Sequence, residues 1–126
     1  MKQKSVSPKE YNDVVNVIAK YIEAIRIGSI DMLNESFHKD SKTYGFVNDE
    51  LRGGESNPVV DFIKDYGKSP DIKAHIDVLD ITPATAIARV VTGDDAAGSP
   101  CLEFLTLLKL DTGWTIIAKA FYQFDS

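Results

Sequence analysis

The chain is poor in the residue types that cross-link proteins or bind metals. Its 126 residues include one cysteine and two histidines. The single cysteine, Cys101, excludes an internal disulfide and favours a reducing compartment. Because it lies in an apolar run, we expect a packed, inert thiol rather than a nucleophile. No histidine or cysteine pair has metal-ligand spacing, so we expect no metal and no other cofactor.

Long apolar runs are also missing. No stretch approaches the roughly 20 apolar residues that cross a bilayer. The basic start of the chain has no apolar segment behind it, so we expect no secretory signal and a cytoplasmic location. The net charge of −5 argues against nucleic acid or an anionic membrane as partner. We therefore expect the partners to be a small molecule and a second copy of the chain.

The composition is that of one globular domain spanning residues 1–126. Of the residues, 44% are hydrophobic and 26% are charged, which is ordinary for a folded chain with its own core. Ser7 is expected to cap a first helix beginning at Pro8, with Glu10 reaching back to complete a capping box. An apolar stripe at helical spacing follows, and Gly28 ends the helix.

Two shorter helices and six strands are predicted after it. Ser29 and Asn57 are the expected N-caps of these helices. The strands are expected near 42–47, 51–54, 72–81, 84–93, 101–110 and 114–121. The order α-α-β-β-α-β-β-β-β predicts an α+β fold in which three helices pack into a curved, mostly antiparallel sheet.

Side-chain alternation in the last four strands assigns residues to two faces. The turn positions permit a register that sets odd residues opposite odd residues. In that register Arg89 lies opposite Glu103, and Lys119 lies diagonally across the next strand pair. The odd face is then an apolar wall with a compact charged group, while the even face is smooth and rich in alanine.

Two interpretations of the charged group remain open. It is either a paired charge ladder on an exposed sheet face or the floor of a pocket in which the same charges orient a ligand. In the second case helices partly cover the odd face, and the even face is the dimer surface. The opposite assignment, with helices on the even face and the charged face outside, is also open.

Four segments carry a resemblance to a known superfamily: YIEA at 21–24, FHKD at 37–40, AIARV at 86–90 and EFLTLLKLDTGWTIIAK at 103–119. With them the whole chain resembles the nuclear transport factor 2-like superfamily, and within it the SnoaL-like and lumazine-binding families. The resemblance implies a cystatin-like cone of curved sheet around helices, as in ketosteroid isomerase, with a deep pocket and usually a homodimer.

The resemblance also implies a type of site. Enzymes of the superfamily use a carboxylate or histidine base, with a hydrogen-bond donor opposite, on a hydrophobic ligand. Close relatives tend to carry an acidic residue at Glu103 and a lysine at Lys119. The tyrosine–aspartate pair of the isomerase has no clean counterpart here.

We therefore name Glu103 or His38 as candidate base and Tyr44 or Lys119 as candidate donor. His38 either serves the pocket or interacts with the terminal carbonyls of the second helix. The side chains expected to bind a ligand are Arg89, Lys119, Phe121, Tyr21, Phe62, Tyr66 and His75.

His75 has its own carboxylate neighbour in Asp77, two residues on. The pair invites the same base proposal as His38, and a solvated position near a sheet edge is the competing interpretation.

Three functions remain open. The first is a homodimeric small-molecule-binding protein whose apolar pocket carries a few charges. The second is an isomerase, dehydratase or cyclase with a glutamate or histidine general base acting on a small hydrophobic substrate. The third is an interaction module in which the cavity is only a structural void.

Overall fold

Three helices and six strands follow each other in the predicted order. The computed structural model describes residues 6–54 and 57–124. The elements are α1 Pro8–Ile27, α2 Ile30–Ser36, β1 Phe37–Val47, β2 Glu50–Gly53, α3 Pro58–Tyr66, β3 Lys73–Ile81, β4 Thr85–Gly93, β5 Cys101–Leu110 and β6 Gly113–Gln123. The predicted α+β class is confirmed. None of the helices in the described ranges has the length and apolar character needed to span a bilayer.

The predicted cap of α1 is confirmed only in part. The Ser7 hydroxyl accepts a hydrogen bond from the backbone N–H of Glu10 at 3.3 Å, and Gly28 ends the helix with a φ of 72°. The Glu10 carboxylate does not reach back. It accepts instead from Trp114 Nε1 at 2.9 Å and Lys109 Nζ at 2.6 Å. These two hydrogen bonds, that from Lys109 first, lower the pKa of Glu10 and tie α1 to the β5–β6 hairpin.

The sheet has the strand order β2-β1-β6-β5-β4-β3. Neighbouring strands are antiparallel except β1 and β6, which are parallel. Strand β1 begins at Phe37, five residues before the predicted start, because Phe37 already pairs with Ile116 ahead of an irregularity that ends at Lys42. The first half of the chain is thereby joined to β6, the last strand of the C-terminal meander, and β1 and β6 lie side by side within the six-stranded sheet.

The predicted register between β4 and β5 is wrong. Arg89 lies opposite Phe104, and Val90 lies opposite Glu103. A shift of one residue moves a strand's side chains to the other face of a sheet. Burial selects the observed register, since Val90 is fully buried, whereas the predicted register would turn Arg89 toward the helices.

We call the side of the sheet that faces the helices the inner face and the opposite side the outer face. An irregularity in the β5–β6 pairing between Thr106 and Leu107 changes the parity of β6. As a result, neither of the two predicted face assignments holds along the whole meander. The buried inner-face side chains are Phe37, Thr43, Ala86, Ala88, Val90, Thr92, Glu103, Leu105, Leu107, Trp114, Ile116, Lys119 and Phe121.

One glycine on the inner face is required by close packing. Gly45 pairs with Phe121 across the parallel β1–β6 ladder. A Cβ atom at Gly45 would collide with the Phe121 ring and its carbonyl oxygen. The ring of Phe121 therefore lies over backbone that carries no side chain.

Replacing Gly45 with alanine should destabilise the protein by about 1–3 kcal/mol, because the added methyl group overpacks a buried contact. Urea unfolding followed by circular dichroism measures the change. Gly93→Ala is the matched control, since a Cβ at Gly93 meets nothing within 4 Å. Equal effects of the two substitutions would show that the Phe121 contact is not the constraint.

Candidate active site

A cavity of about 640 Å³ lies between α1, α3 and the inner face of the sheet. Its volume is in the range of small-molecule sites, roughly 300–1,000 Å³. Tyr21, Glu103 and Lys119 line it and are buried, with exposed fractions of 0%, 3% and 6%. The exposed part of the wall includes Asp61 and Asp65 of α3.

The three buried polar side chains form one hydrogen-bonded network. The Tyr21 hydroxyl lies 2.9 Å and 3.0 Å from the two carboxylate oxygens of Glu103 and donates to that carboxylate. Lys119 Nζ donates to the Tyr21 oxygen at 2.7 Å and lies 3.5 Å from Glu103 Oε2. A carboxylate, a phenol and an amine are therefore held together in the wall of the cavity.

Backbone register and helix periodicity bring these groups together. Glu103 pairs with Phe121, and Leu105 pairs with Lys119, so the carboxylate and the amine are diagonal neighbours on the inner face, as the sequence predicted. Tyr21 comes from the apolar stripe of α1, in which its neighbours such as Ile18 are also buried. The same packing that buries α1 carries the phenol to the two charges.

Burial and the neighbouring carboxylate keep the phenol protonated. The pKa of Tyr21 is raised well above its usual value, first by burial and then by the charge of Glu103. Lys119 Nζ also lies 5.1 Å from the ring centroids of both Tyr21 and Phe121, within the range of cation–π attraction. Near neutral pH Tyr21 is thus a hydrogen-bond donor held between two charged groups.

The cavity wall also contains the thiol of Cys101. Burial, and next the charge of Glu103, raises its pKa to about 12. The thiol is therefore protonated near neutral pH, as expected for an inert cysteine. The cytoplasmic location inferred from the single cysteine stays a prediction.

Six of the ten candidate site residues line this cavity, and their predicted roles stay predictions. The six are Tyr21, Phe62, Tyr66, Glu103, Lys119 and Phe121. Phe62 and Tyr66 stack on each other with ring centroids 4.9 Å apart. Together they give α3 an aromatic wall opposite the sheet.

The other four candidates lie elsewhere. Arg89 faces Asp77 on the outer face at 3.9 Å, because the β4–β5 register differs from the predicted one. The side chain of His75 is 73% exposed and contacts the same Asp77 at 3.1 Å. Tyr44 lies on the outer face beside Ala120. The expectation that these three side chains meet Glu103 in a pocket is wrong.

His38 is the fourth. It lies in β1 and lines a separate, smaller cavity of about 270 Å³ together with Thr43 and Asn57. Its Nδ1 accepts a hydrogen bond from the backbone N–H of Asp40 at 3.0 Å. The hydrogen-bond partner of His38 is thus Asp40 rather than a terminal carbonyl of α2. His38 lies outside the cavity that contains Glu103, and its predicted role as a base stays a prediction.

The sequence analysis missed the position of Tyr21 between Glu103 and Lys119. It named Tyr44 or Lys119 as donor and placed Tyr21 only among the ligand contacts. A signal was present, because a tyrosine within an otherwise aliphatic helix stripe buries a hydroxyl that needs a partner. Asp61 and Asp65 were missed as well, although their spacing on α3 puts them on one side of that helix.

Comparison with known proteins assigns the chain to a family. The family model described as "Putative lumazine-binding" matches residues 9–122. The chain belongs to this lumazine-binding family. Because solved relatives are NTF2-like proteins and share its fold, the expected nuclear transport factor 2-like superfamily and cystatin-like fold are both confirmed.

Three relatives of this family member illustrate the range of similarity. A curated protein of Cladobotryum sp, "Aldolase FrzH", is 33% identical over 121 residues, covering 96% of this chain and 97% of the relative. An NTF2-like protein of unknown function from Methylobacillus flagellatus superposes with a TM-score of 0.87 at 28% identity, over 96% and 97% of the two chains. Another from Shewanella baltica gives 0.86 at 29% identity, over 98% and 100%.

Replacing Tyr21 with phenylalanine should cost about 1–3 kcal/mol at neutral pH, because Lys119 and Glu103 lose a buried hydrogen-bond partner. The raised pKa favours the protonated phenol in the folded state. Its contribution is therefore complete below the unfolded pKa of about 10 and is lost as pH rises above it. Above that pH the free energy of unfolding of the wild type should fall faster than that of Tyr21→Phe, by up to about 1.4 kcal/mol per pH unit.

Denaturant unfolding between pH 7 and 11 measures both effects. Tyr11→Phe is the matched control, since Tyr11 lies on the same helix and is 44% exposed. It should follow the wild type at every pH. Parallel curves for the wild type and Tyr21→Phe in the alkaline range would contradict the assignment.

Proposed function

We propose that this protein is an enzyme that removes and returns a proton at a carbon next to a carbonyl group, in a small, largely apolar substrate bound in the cavity. The observation that carries the proposal is the Glu103–Tyr21–Lys119 network in the cavity wall. It combines a proton acceptor, a protonated phenol and a cation within hydrogen-bonding distance of one another. Isomerisation, dehydration, cyclisation and aldol addition all begin with such a proton transfer.

Glu103 is the general base in this proposal. Its carboxylate accepts one hydrogen bond from Tyr21 and has further lone pairs for a proton on carbon. Tyr21 and Lys119 are the donors that stabilise negative charge on the carbonyl oxygen as the enolate forms. Donors fixed in an enclosed site before the reaction lower the barrier most, because they need no reorganisation.

The proposed reaction balances without a redox partner. Glu103 takes a proton from the α-carbon, and the electron pair of the C–H bond moves into the enolate. In an aldol step the enolate carbon then attacks a second carbonyl carbon, and the new alkoxide oxygen takes a proton back from Glu103 or from Tyr21. The aldolase name of the 33% identical relative supports this class of chemistry. The aromatic pair on α3 fits an apolar substrate.

Glu103→Gln tests the base directly. We expect the exchange of ketone α-hydrogens for deuterium to slow by about 10²–10⁴-fold, since the amide cannot accept the proton. Proton NMR of small ketones such as cyclohexanone in D₂O measures the rate. Glu35→Gln is the control, because this glutamate is exposed in an ion pair with Lys20 and should leave the rate unchanged. Wild-type exchange no faster than in buffer across a ketone series would contradict the proposal.

A second candidate is a binding protein without turnover. The hydrogen bonding favours this function, because every buried side-chain polar atom in residues 6–54 and 57–124 already has a hydrogen-bond partner. Retention of a small molecule by the purified protein, together with no α-proton exchange, would identify this function.

We further propose that the protein is a homodimer through the outer face of the sheet. Phe104, Ala120 and Tyr44 lie side by side across β5, β6 and β1, and Phe104 and Tyr44 are 44% and 48% exposed. The next row contains Phe46 and Tyr122, which are 43% and 42% exposed. Contiguous exposed aromatic surface is typical of protein interfaces, and the same patch on two copies of the chain can form a two-fold, self-complementary contact.

Phe104→Lys should weaken this dimer about 30-fold or more, because it removes a central aromatic contact and buries a charge. Sedimentation equilibrium measures the dissociation constant. Ile27→Lys is the control, since Ile27 is similarly exposed, at 45%, but lies at the end of α1. A wild-type protein that is monomeric at high micromolar concentration would exclude the dimer.

A further inference from the structure

The cavity wall contains a thiol, a phenol and an amine, each of which acts as a nucleophile when it is deprotonated. The Cys101 thiol and the Tyr21 phenol both have raised pKa values because of burial and the charge of Glu103. A thiol and a phenol are weak nucleophiles in their protonated forms. Lys119 supplies the amine of this wall, and an amine is the group that forms a Schiff base with a carbonyl carbon.

The surroundings of Lys119 provide an acceptor for its proton. Its side chain is 4% exposed, and its Nζ donates to the Tyr21 oxygen at 2.7 Å. Through that oxygen the amine is connected to the Glu103 carboxylate, which also lies 3.5 Å away directly. A proton can therefore pass from the amine to the carboxylate without leaving the protein.

A structural role alone accounts poorly for this arrangement. Removing a carboxylate and an ammonium from water costs several kcal/mol per ion, and their attraction often does no more than offset that cost. The pair also lines a cavity rather than a packed interior. Burial of a lysine away from water is a known means of producing a reactive amine.

We propose that Lys119 forms a Schiff base with the carbonyl carbon of an aldehyde or ketone substrate. The inference rests on the proposed proton-transfer function and deepens it, because it makes the amine a covalent electron sink rather than a hydrogen-bond donor. The substrate class is a small aldehyde or ketone with an α-hydrogen and an apolar body.

The step balances as follows. The Lys119 ammonium gives one proton to Glu103, directly or through Tyr21, and its lone pair attacks the carbonyl carbon. A second proton moves from the nitrogen to the former carbonyl oxygen, which gives a neutral carbinolamine. Protonated Glu103 returns its proton to the carbinolamine oxygen, which leaves as water. The C–N bond becomes an iminium, and Glu103 is again a carboxylate. This carboxylate can then remove the α-proton to form an enamine, so no oxidant or reductant is required.

Pentane-2,4-dione is a suitable probe, because a nucleophilic amine converts it into a stable enaminone that absorbs in the near ultraviolet. We expect one equivalent to react with Lys119 before the exposed lysines, as located by peptide mass mapping of the wild-type protein. Glu103→Gln should slow this labelling by about 100-fold or more, since it removes the proton acceptor. Tyr21→Phe should slow it less, because the direct path from Lys119 to Glu103 remains. Peptide mass mapping of the labelled wild-type protein tests the inference even if a variant fails to fold.

Two lysine variants complete the test. Lys119→Arg keeps the cation but forms no Schiff base, so the enaminone absorbance should disappear. Lys20→Arg, at an exposed lysine that pairs with Glu35, is the matched control and should keep the absorbance. Labelling confined to exposed lysines overturns the inference.

Deuterium exchange of cyclohexanone separates this inference from the proposed function. If exchange persists in Lys119→Arg, Glu103 acts on the free carbonyl compound, and only the Schiff base is wrong. If the wild type shows neither exchange nor labelling, both proposals fail. If labelling occurs without exchange, the reactive lysine stands, and the proton transfer by Glu103 is wrong.

Discussion

The hydroxyl group of Tyr21 connects helix α1 to the sheet at the place where the charged side chains of Glu103 and Lys119 are buried. The Tyr21 oxygen accepts a hydrogen bond from Lys119, and the Tyr21 hydroxyl donates one to Glu103. Each of the two charged groups thus has a hydrogen-bond partner that comes from α1 rather than from β5 or β6. Without such a partner, a buried carboxylate and a buried ammonium leave desolvation poorly offset. The position of α1 over the sheet thus decides whether these charges can be buried, and the cavity depends on that position.

The sheet separates two tasks by side-chain alternation. Its inner face carries the charges and closes the cavity, whereas its outer face carries aromatic side chains in two neighbouring rows. Each face can change in sequence with little effect on the other, because successive residues of a strand point in opposite directions. This division lets the proposed proton-transfer site and the proposed surface for a second copy of the chain occupy opposite faces of β5 and β6.

Sequence reasoning succeeded where structure depends on neighbours along the chain. Ser7, Gly28 and Asn57 mark helix ends because their side chains or backbone angles satisfy groups within a few residues. It failed for Arg89, whose face depends on how the loop after β4 sets the pairing with β5. It also failed for Glu10, whose carboxylate is held by residues about a hundred positions away.

The sequence by itself determined the order of the helices and strands, the α+β class and the diagonal pairing of Glu103 with Lys119, since local turns and alternation specify all three. Only the tertiary structure decided which candidates share a cavity. It brought Tyr21 to the two charges and turned Arg89, His75 and Tyr44 to the outer face. The physical reason is that one residue of register, or one irregularity in a ladder, reverses the face of every side chain beyond it, and packing against α1 selects among these alternatives.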